Sequence, residues 1–531
     1  MSRLFVRESC SSKYHVDRAK VIGKRRASLR CDWVVAVLAA ATTTFHLLTA
    51  AGYGVFRDEL YYLACAQHLD WGYVDHPPLV AVFAWVVLRL LGPSLFALRL
   101  LPAVAAGVLV LLTATIAHQL GGGRFAQMLA GVAVALAPQY LGMLSIYSMN
   151  AFDLVAWALL ALAMVQVLKT ADRRLWLLFG AVAGLGLENK LSVLFLVFGV
   201  AAGLLVAREW RHLRDPWLWA GGGVAALLFA PHIVWQIANG WPTVEFIQRA
   251  TEFKNVAYGA IAFAAEQVKM MNPVAFPLWL AGLGTLLMAK DYRSYRALGW
   301  AYPAVLFLMV TQTAKPYYLA PIYPPLLAAG AVMVERVSRA RGLSWIRSAS
   351  LAAIGLSGAL LAPLAKPFLP VETYVSYAAT FGVEPGTDER HLLGRLPQFF
   401  ADMHGWQELA EAVAQVHRAL PTKDQGSACV FAQNYGQAGA IDLFGPPLGL
   451  PRAISGHNSY WLWGPRDCDG QVVIVIGGRQ EDHAEVFAQV TAGGHFDCGD
   501  CMPYEDNQTL WVARGLRSTV ADIWPRVKHF D

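Results

Sequence analysis

Long apolar stretches dominate the first two thirds of the chain and predict membrane-spanning helices. A helix needs about 20 mostly apolar residues to cross the hydrocarbon core of a bilayer. Eleven stretches before residue 367 approach that length, and we expect each to form one span. They lie near residues 33–51, 99–118, 125–143, 153–168, 175–188, 191–207, 217–236, 273–289, 297–313, 317–335 and 347–365.

A further apolar stretch, Leu79–Leu91, is shorter and is interrupted by Arg89. If it crossed the membrane, every later loop would change sides. The basic loops at residues 169–174 and 336–347 would then lie outside, against the excess of Lys and Arg expected in cytoplasmic loops. We therefore predict that residues 79–91 form an interfacial helix, that the N terminus is cytoplasmic, and that the last span ends on the exoplasmic side.

The pattern changes after residue 366. An amphipathic helix is expected near residues 407–420, followed by short strand-like runs at 429–432, 472–476 and 509–513 that are separated by Gly and Pro. The predicted organisation is a cytoplasmic segment (1–32), a transmembrane domain (33–366) and an exoplasmic, periplasmic α/β domain (367–531). The predicted fold class is an α-helical polytopic membrane protein with about 11 spans, interfacial helices and this C-terminal domain.

Composition supports a membrane protein. Hydrophobic residues make up 56% of the chain and charged residues only 15%, whereas a soluble protein carries roughly 25% charged residues. This excludes an ordinary soluble enzyme, a disordered protein and a nucleic-acid binder that works through basic patches. Residues 1–366 contain 32 Lys and Arg against 17 Asp and Glu, while residues 367–531 contain 11 against 20.

Four of the seven cysteines lie in the last 165 residues: Cys429, Cys468, Cys498 and Cys501. An oxidising exoplasmic compartment would permit disulfides there, and four cysteines allow three pairings. Cys498 and Cys501 also have the CxxC spacing of a zinc or redox pair, although the residues that follow do not support a thioredoxin-like helix start. Structural disulfides, a structural zinc site and free thiols all remain open alternatives.

Carboxylates, cations and aromatics are concentrated in the predicted exoplasmic loops. Arg57, Asp58 and Glu59 stand just beyond the first span, and charged groups close to a membrane are costly unless they are paired or solvated. Other candidate residues on the same side are Tyr61, Tyr62, Asp75, His76, Asn150, Asp153, Lys190, Lys315 and Tyr318.

These residue types suit transfer chemistry on a phosphate-bearing substrate. A carboxylate can act as general base toward a hydroxyl or amine, and cations can stabilise a phosphate leaving group. The structural alternative is that the acids cap helices, that the aromatics form an interfacial belt and that Lys190 and Lys315 extend to the membrane surface. Two adjacent acids beside the membrane exceed what capping requires, so Asp58 and Glu59 favour function.

Three segments resemble the glycosyltransferase C superfamily, in particular family 39 and related bacterial enzymes. These are the protein O-mannosyltransferases, the aminoarabinose transferase acting on lipid A and the Rgt-type lipopolysaccharide transferases. The segments are Phe56–Tyr62 (FRDELYY), Asp75–Leu79 (DHPPL) and Lys315–Pro321 (KPYYLAP). The resemblance rests on the order of these three segments relative to the predicted spans. It covers roughly residues 33–366.

The resemblance implies an inverting glycosyltransferase that moves a hexose or pentose from a polyprenyl phosphate to a lipid, glycan or protein acceptor. Asp58 would be the general base, Glu59 would orient it or hold a sugar hydroxyl, and Asp153 matches the second acidic position. His76 stands where relatives often have a lysine, so phosphate binding would depend more on Arg57, Lys190 or Lys315. No cofactor is required by this pattern, and a divalent metal remains an alternative.

The remaining candidates, Tyr61, Tyr62, Asp75, Asn150 and Tyr318, are expected to bind substrate. The aromatic and amide-rich segments at residues 433–437 and 456–463 are candidates for acceptor contact, although buried aromatics explain them nearly as well. The expected location is the plasma (inner) membrane, with no nucleic-acid partner. The alternatives are a transporter or flippase of a polar lipid, which would place charges at the bilayer midplane, and a non-catalytic sugar-binding protein.

Overall fold

The structure is a computed structural model that describes residues 32–170 and 172–531. The predicted cytoplasmic segment, residues 1–32, therefore lies outside the described residues except for Asp32. That residue caps the first helix, because its carboxylate accepts a hydrogen bond from the Val34 backbone N–H at 3.1 Å. The first described element thus begins at the start of the first predicted span.

Helices α1–α17 make up the apolar part of the chain, residues 33–366. They span Trp33–Leu48 (α1), Arg57–Gln67 (α2), Leu79–Leu91 (α3), Leu95–Gln119 (α4), Arg124–Ala135 (α5), Pro138–Met143 (α6), Met149–Thr170 (α7), Leu175–Leu187 (α8), Val193–Val206 (α9), Trp210–Leu213 (α10), Pro216–Ala238 (α11), Pro242–Arg249 (α12), Ala260–Met270 (α13), Phe276–Met288 (α14), Arg296–Thr311 (α15), Tyr323–Ala340 (α16) and Ser344–Ala365 (α17). One π-helical turn, Ala250–Lys254, and three 3₁₀ segments, Pro273–Ala275, Lys290–Tyr295 and Pro316–Ile322, join them.

Local backbone chemistry interrupts one predicted span and bends the chain just before another. Pro138 begins α6, and Ala137 before it is extended, with φ −71° and ψ 124°; a residue before proline is biased away from helix. Asn272 has φ +67° and precedes Pro273. There the chain bends by 100° between α13 and the segment Pro273–Met288. The first break makes two helices of the predicted span 125–143, whereas the bend lies just before the predicted span 273–289.

The protein is an integral multi-pass membrane protein, but the predicted count of 11 spans is not confirmed. Among the described residues, five helices are long and apolar enough to cross a membrane, or six if the bent pair is one span. Helix α1 has 16 residues and is about 24 Å long at 1.5 Å per residue, against a hydrocarbon core of about 30 Å. Residues 79–91 form a single helix, α3; its interfacial position remains a prediction.

Residues 367–531, called the tail from here on, form a small α/β unit. Its helices are Val371–Thr380 (α18), Gln398–Ala401 (α19), Trp406–Ala419 (α20), Thr422–Gln425 (α21), Tyr435–Phe444 (α22), Ser459–Leu462 (α23), Gln480–Val486 (α24) and Val520–Ile523 (α25), with 3₁₀ turns at Pro446–Leu448 and Trp524–Arg526. Its strands are Cys429–Ala432 (β1), Ala453–Ser455 (β2), Val472–Ile476 (β3), Phe487–Phe496 (β4) and Gln508–Leu516 (β5).

The five strands form one mixed sheet in the order β2-β1-β3-β5-β4. Strands β1, β2 and β3 are parallel, while β5 runs antiparallel to both β3 and β4. The predicted helix and three strands correspond to α20, β1, β3 and β5. Strands β2 and β4 were not predicted, because β2 has only three residues and β4 contains a Gly-Gly pair and a mostly exposed face.

The core of the tail extends into helix α2 of the apolar part. Leu60, Tyr61 and Ala64 are buried in one hydrophobic cluster with the inner residues of α20, α22 and the sheet. A second cluster packs Tyr53 and Phe56 against α18 and α19. Helix α2, which contains Arg57, Asp58 and Glu59, is therefore enclosed between the helical bundle and the tail.

Candidate active site

Helix α2 places its two neighbouring acids in different surroundings. The Glu59 carboxylate accepts a hydrogen bond from the Phe56 backbone N–H at 2.8 Å and so caps the start of the helix. Acidic residues in a first turn also interact favourably with the helix dipole. Since successive side chains diverge by about 100° on a helix of 3.6 residues per turn, Glu59 faces the bundle whereas Asp58 faces the tail.

Glu59 is fully buried and is bonded only to protein groups. Arg99 of α4 donates to both of its oxygens, from Nε at 2.9 Å and from Nη2 at 2.7 Å, and the Tyr147 backbone N–H donates at 2.7 Å. Arg99 also donates to the carbonyl oxygens of Ala50 and Gly54. These contacts use both carboxylate oxygens, which favours a positioning role over direct contact with substrate.

Asp58 is the accessible acid of the pair. Its side chain is 34% exposed, and Oδ1 accepts a hydrogen bond from the Tyr435 hydroxyl at 2.8 Å. The Arg57 Nε lies 3.7 Å from the same oxygen. Asp58 therefore combines fixed orientation with access, as a general base requires.

Arg57 lies buried at the centre of an ion cluster between the bundle and the tail. Its Nη2 is 3.6 Å from Asp402 and 3.8 Å from Glu389, and its Nη1 donates to the Tyr504 hydroxyl. Burial raises the pKa of the Asp402 carboxyl to about 6, although Arg57 opposes that shift. The guanidinium is thus held in place by groups of the tail.

Glu389 gathers two lysines in addition to Arg57. Lys315 Nζ lies 2.7 Å and Lys254 Nζ 3.8 Å from the same oxygen, Oε1. Burial alone would raise the pKa of Glu389, but Lys254, Arg57 and Lys315 hold it well below its usual range. Each lysine has three N–H donors, so two lysines that share one carboxylate oxygen retain donors for an anion. We call Arg57, Lys254, Lys315 and Glu389 the Glu389 cluster.

A second group of candidates meets around Lys190. Its Nζ donates to Asn150 Oδ1 at 2.5 Å, lies 3.9 Å from Asp153 Oδ2 and sits 4.8 Å from the centre of the Tyr318 ring. Asp153 Oδ1 accepts from the Ser192 hydroxyl at 2.6 Å. The structure thus brings together Asn150, Asp153, Lys190 and Tyr318, and the 3₁₀ segment after Lys315 links this group to the Glu389 cluster.

The Asp75–Leu79 segment is largely internal. His76 is fully buried, with Nδ1 2.8 Å from the Pro77 carbonyl oxygen and Nε2 3.7 Å from Cys65 Sγ. Tyr61 and Tyr62 are also buried, and the Tyr61 hydroxyl donates to Ser459 Oγ at 2.7 Å. The rings of His76, Tyr61 and Tyr62 form one wall of the site. Burial of the Asp75 side chain raises its pKa.

The tail completes the surroundings of Asp58 through α22. A Cβ at Gly436 would stand 2.7 Å from the Arg57 Cγ, and one at Gly439 would stand 2.7 Å from the Leu60 Cβ. These glycines let α22 approach α2 closely enough for Tyr435 to reach Asp58. The predicted contact segment 433–437 therefore touches the site, and Gly-x-x-Gly is the sequence signal for it.

Several residues of the site were not predicted from the sequence. Lys254, Glu389, Asp402 and Arg99 lie in segments without a recognisable motif. Glu505 is another: it is buried and accepts hydrogen bonds from the side-chain amides at positions 434 and 437, both at 2.7 Å, and burial raises its pKa to about 7. Only the fold brings these distant segments to Asp58.

One of the possible disulfides is formed in the tail. Cys429 is bonded to Cys468, whereas Cys498 and Cys501 are free thiols in the structure. The Cys501 backbone N–H donates to Cys498 Sγ at 3.2 Å, so this pair closes a tight turn. Of the pairings left open by the sequence, the structure selects 429–468.

One group of residues in the described chain has the composition of a metal site: His457, His529 and Asp531. The two nitrogens of His529 lie 2.9 Å from the Val527 carbonyl oxygen and 3.0 Å from that of Gln433. Both nitrogens of His529 therefore lie within hydrogen-bonding distance of backbone carbonyl oxygens. This geometry engages the nitrogen that a metal ion would need, so we assign no metal to this group.

Comparisons with known proteins agree with this architecture. The family described as dolichyl-phosphate-mannose-protein mannosyltransferase matches residues 75–235. A lipid A galacturonosyltransferase, RgtD of Rhizobium johnstonii, is 25% identical over 287 residues. That match spans 50% of this chain and 56% of the relative, so the chain aligns with little more than half of the relative's length.

Two crystal structures of ArnT from Cupriavidus metallidurans share the fold. The apo form aligns with a TM-score of 0.60 at 15% identity, and the form bound to undecaprenyl phosphate with a TM-score of 0.59 at 13% identity. Each alignment covers 90% of this chain and at least 97% of ArnT. The predicted resemblance is confirmed: part of the chain matches the mannosyltransferase family model, and the chain is similar to RgtD and shares the fold of ArnT.

Proposed function

We propose that the protein is an inverting glycosyltransferase that uses a sugar linked to a polyprenyl phosphate. The observation that carries this proposal is the pairing of an oriented, accessible carboxylate, Asp58, with the lysine-rich Glu389 cluster. A base for the acceptor and donors for a phosphate thus lie side by side. The homologous transferases and the ArnT complex with undecaprenyl phosphate support the same chemistry.

In the proposed reaction, Asp58 removes a proton from the acceptor hydroxyl or amine. The acceptor atom bonds to the anomeric carbon as the bond from that carbon to the phosphate oxygen breaks. The electron pair of the broken bond leaves with polyprenyl phosphate, and the configuration at the anomeric carbon inverts. The N–H donors of Lys254 and Lys315 stabilise the charge that develops on the leaving oxygen.

The reaction is proposed to take place on the exoplasmic face of the plasma membrane. The distribution of basic loops supports this orientation. The Cys429–Cys468 bridge supports it independently, since disulfides persist in oxidising compartments. The tail and Asp58 would then face the same compartment as lipid, glycan or protein acceptors of the cell envelope.

The first test is the substitution Asp58→Asn. The variant is expected to insert and fold normally and to lose transfer by about 10²- to 10⁴-fold, the usual contribution of a general base. Mass spectrometry of polyprenyl-phosphate sugars would be performed on cells with wild type, a deletion or the variant at matched protein levels. We expect one lipid-linked sugar to accumulate in both the deletion and the variant.

Asp467→Asn is the matched control, because Asp467 is an exposed carboxylate of the tail; it should behave as wild type. If Asp58→Asn also behaves as wild type while the deletion accumulates the lipid, Asp58 is not the base. If neither the deletion nor the variant changes the lipid pool, the transferase proposal fails and a transporter of a polar lipid becomes the better interpretation.

A further inference from the structure

Asn458, at the carboxyl end of β2, carries a side chain whose hydrogen-bonding capacity is unused within the protein. The residue is 1% exposed. Neither its Nδ2 nor its Oδ1 forms a hydrogen bond with any other part of the described chain. An unpaired buried polar group costs about 1–3 kcal/mol, and this amide has two. Such a residue calls for a partner outside the polypeptide.

The backbone of Asn458 adds to that cost. Its φ of +47° and ψ of −133° lie in a region that L-residues rarely adopt. Residues held in such conformations concentrate at ligand-binding and active sites, where the surrounding structure enforces them. The backbone conformation of Asn458 supports the inference, which rests mainly on the side-chain amide without hydrogen-bond partners.

The neighbours of Asn458 place it beside the catalytic motif. The ring of His457 lies 4.7 Å from that of Tyr435, whose hydroxyl donates to Asp58. On its other side, Ser459 Oγ accepts hydrogen bonds from the Tyr61 hydroxyl at 2.7 Å and from the Val74 backbone N–H at 3.1 Å. Asn458 therefore occupies the junction between the tail and the first loop.

Asp75 contributes a second unused group at this junction. It follows Val74, and its buried Oδ1 likewise has no hydrogen-bond partner among the described residues. Together, Asn458 and Asp75 offer one N–H₂ donor and two oxygen acceptors. A sugar hydroxyl both donates and accepts, so two neighbouring hydroxyls match this set of groups. Lys254 and Lys315 lie elsewhere, at Glu389.

We propose that Asn458 and Asp75 form the subsite for the donor sugar and that this sugar is uncharged. The carboxylate of Asp75 accepts from hydroxyl groups and would repel a uronic acid, while the amide of Asn458 binds an adjacent hydroxyl. The subsite rests on the proposed function, because it gives the sugar a place beside Asp58 while the phosphate lies at the Glu389 cluster. The tail thus selects the sugar.

The test compares lipid binding by the purified full-length protein in nanodiscs. The probes are undecaprenyl phosphate alone, the same lipid carrying glucose, galactose or mannose, and the same lipid carrying a hexuronic acid. Wild type is expected to bind at least one neutral sugar lipid more tightly than the bare lipid and the uronic acid lipid. Asn458→Ala should lose about tenfold of that preference, the loss expected for one or two hydrogen bonds.

Binding of bare undecaprenyl phosphate should be unchanged in Asn458→Ala, which shows that the variant is folded. Asp75→Asn serves as the second variant and should raise the relative affinity for the uronic acid lipid. Asn507→Ala is the control, since Asn507 has a similar φ of +54° but is exposed. It should keep the preference of the wild type.

Three results would overturn the subsite. Asn458→Ala could retain the full sugar preference, wild type could prefer the uronic acid lipid, or wild type could prefer none of the sugar lipids while still binding the bare lipid and transferring sugar from cell extracts. Failure of the proposed function would give a different result from failure of the subsite. In that case wild type neither distinguishes sugar-bearing lipids from the bare lipid nor transfers sugar from any source.

Discussion

At the scale of single residues, the two adjacent acids of the motif have different surroundings. Asp58 is accessible and oriented by Tyr435, whereas Glu59 is fully buried and bonded to Arg99 and to two backbone N–H groups. The sequence predicts that both matter, because two acids beside a membrane are costly. It does not show which one faces solvent, since that depends on Arg99, 40 residues further along the chain.

The different surroundings of Asp58 and Glu59 predict different effects of substitution on the stability of the protein. Arg99→Met leaves the Glu59 carboxylate buried without its counterion, and breaking a buried pair on one side costs about 3–5 kcal/mol. We expect a lowered thermal unfolding temperature in detergent and poor recovery from membranes. The double substitution Glu59→Leu with Arg99→Met should recover part of the loss, because no buried charge remains unpaired.

Asp58→Asn provides the comparison for that measurement, since it should unfold at the temperature of the wild type. A stabilising ion pair between Glu59 and Arg99 would be excluded if Arg99→Met unfolded like wild type. It would also be excluded if the double variant were no more stable than Arg99→Met.

At the scale of elements, the contact between α2 and α22 determines the geometry of the site. Gly439 lies against Leu60 so closely that an added Cβ would stand 2.7 Å from the Leu60 Cβ and 3.0 Å from its carbonyl carbon. The sequence predicts the helix, strands and turns of the tail in outline. It does not predict this contact, because Tyr435 and Asp58 are 377 residues apart and the Gly-x-x-Gly spacing of α22 does not show which helix packs against it.

Gly439→Ala should therefore separate the two helices. Overpacking of this kind costs about 1–3 kcal/mol, and displacement of α22 would remove Tyr435 from Asp58. We expect a lower unfolding temperature together with reduced transfer, measured on the same preparation. Gly426→Ala is the control, because a Cβ there meets open space in the same tail. Equal stability and equal transfer of Gly439→Ala and wild type would contradict a close helix contact.

At the scale of the whole molecule, the apolar pattern predicts a multi-pass membrane protein with an α/β tail, and the structure has both. The number of spans is harder to predict because Pro138 breaks a helix that hydropathy alone continues, and because helices such as α1 are shorter than a full span. The Glu389 cluster is beyond sequence reasoning for a different reason. Its charges come from four distant segments, and the sequence motifs mark only those of Arg57 and Lys315.

The orientation of the tail can be tested through its disulfide. Cys429 and Cys468 are 39 residues apart, and closing such a loop stabilises the folded state by about 4 kcal/mol in the chain-entropy model. The double substitution Cys429→Ala with Cys468→Ala should lower the unfolding temperature of the tail, and reduction of wild type should have a similar effect. Both cysteines should resist alkylation in freshly isolated membranes. If they are alkylated without prior reduction, the tail does not face an oxidising compartment.

The close packing of α22 against α2 also constrains which segments can be exchanged between this protein and its relatives. A chimaera that joined residues 1–366 to the tail of a relative would keep Asp58 but would replace the helix that holds Tyr435 and the two glycines against α2. An exchange of domains after residue 366 would therefore separate α2 from α22, although the two helices together form the surroundings of Asp58. Exchange would preserve these surroundings only if α2 and α22 were transplanted together, as a matched pair.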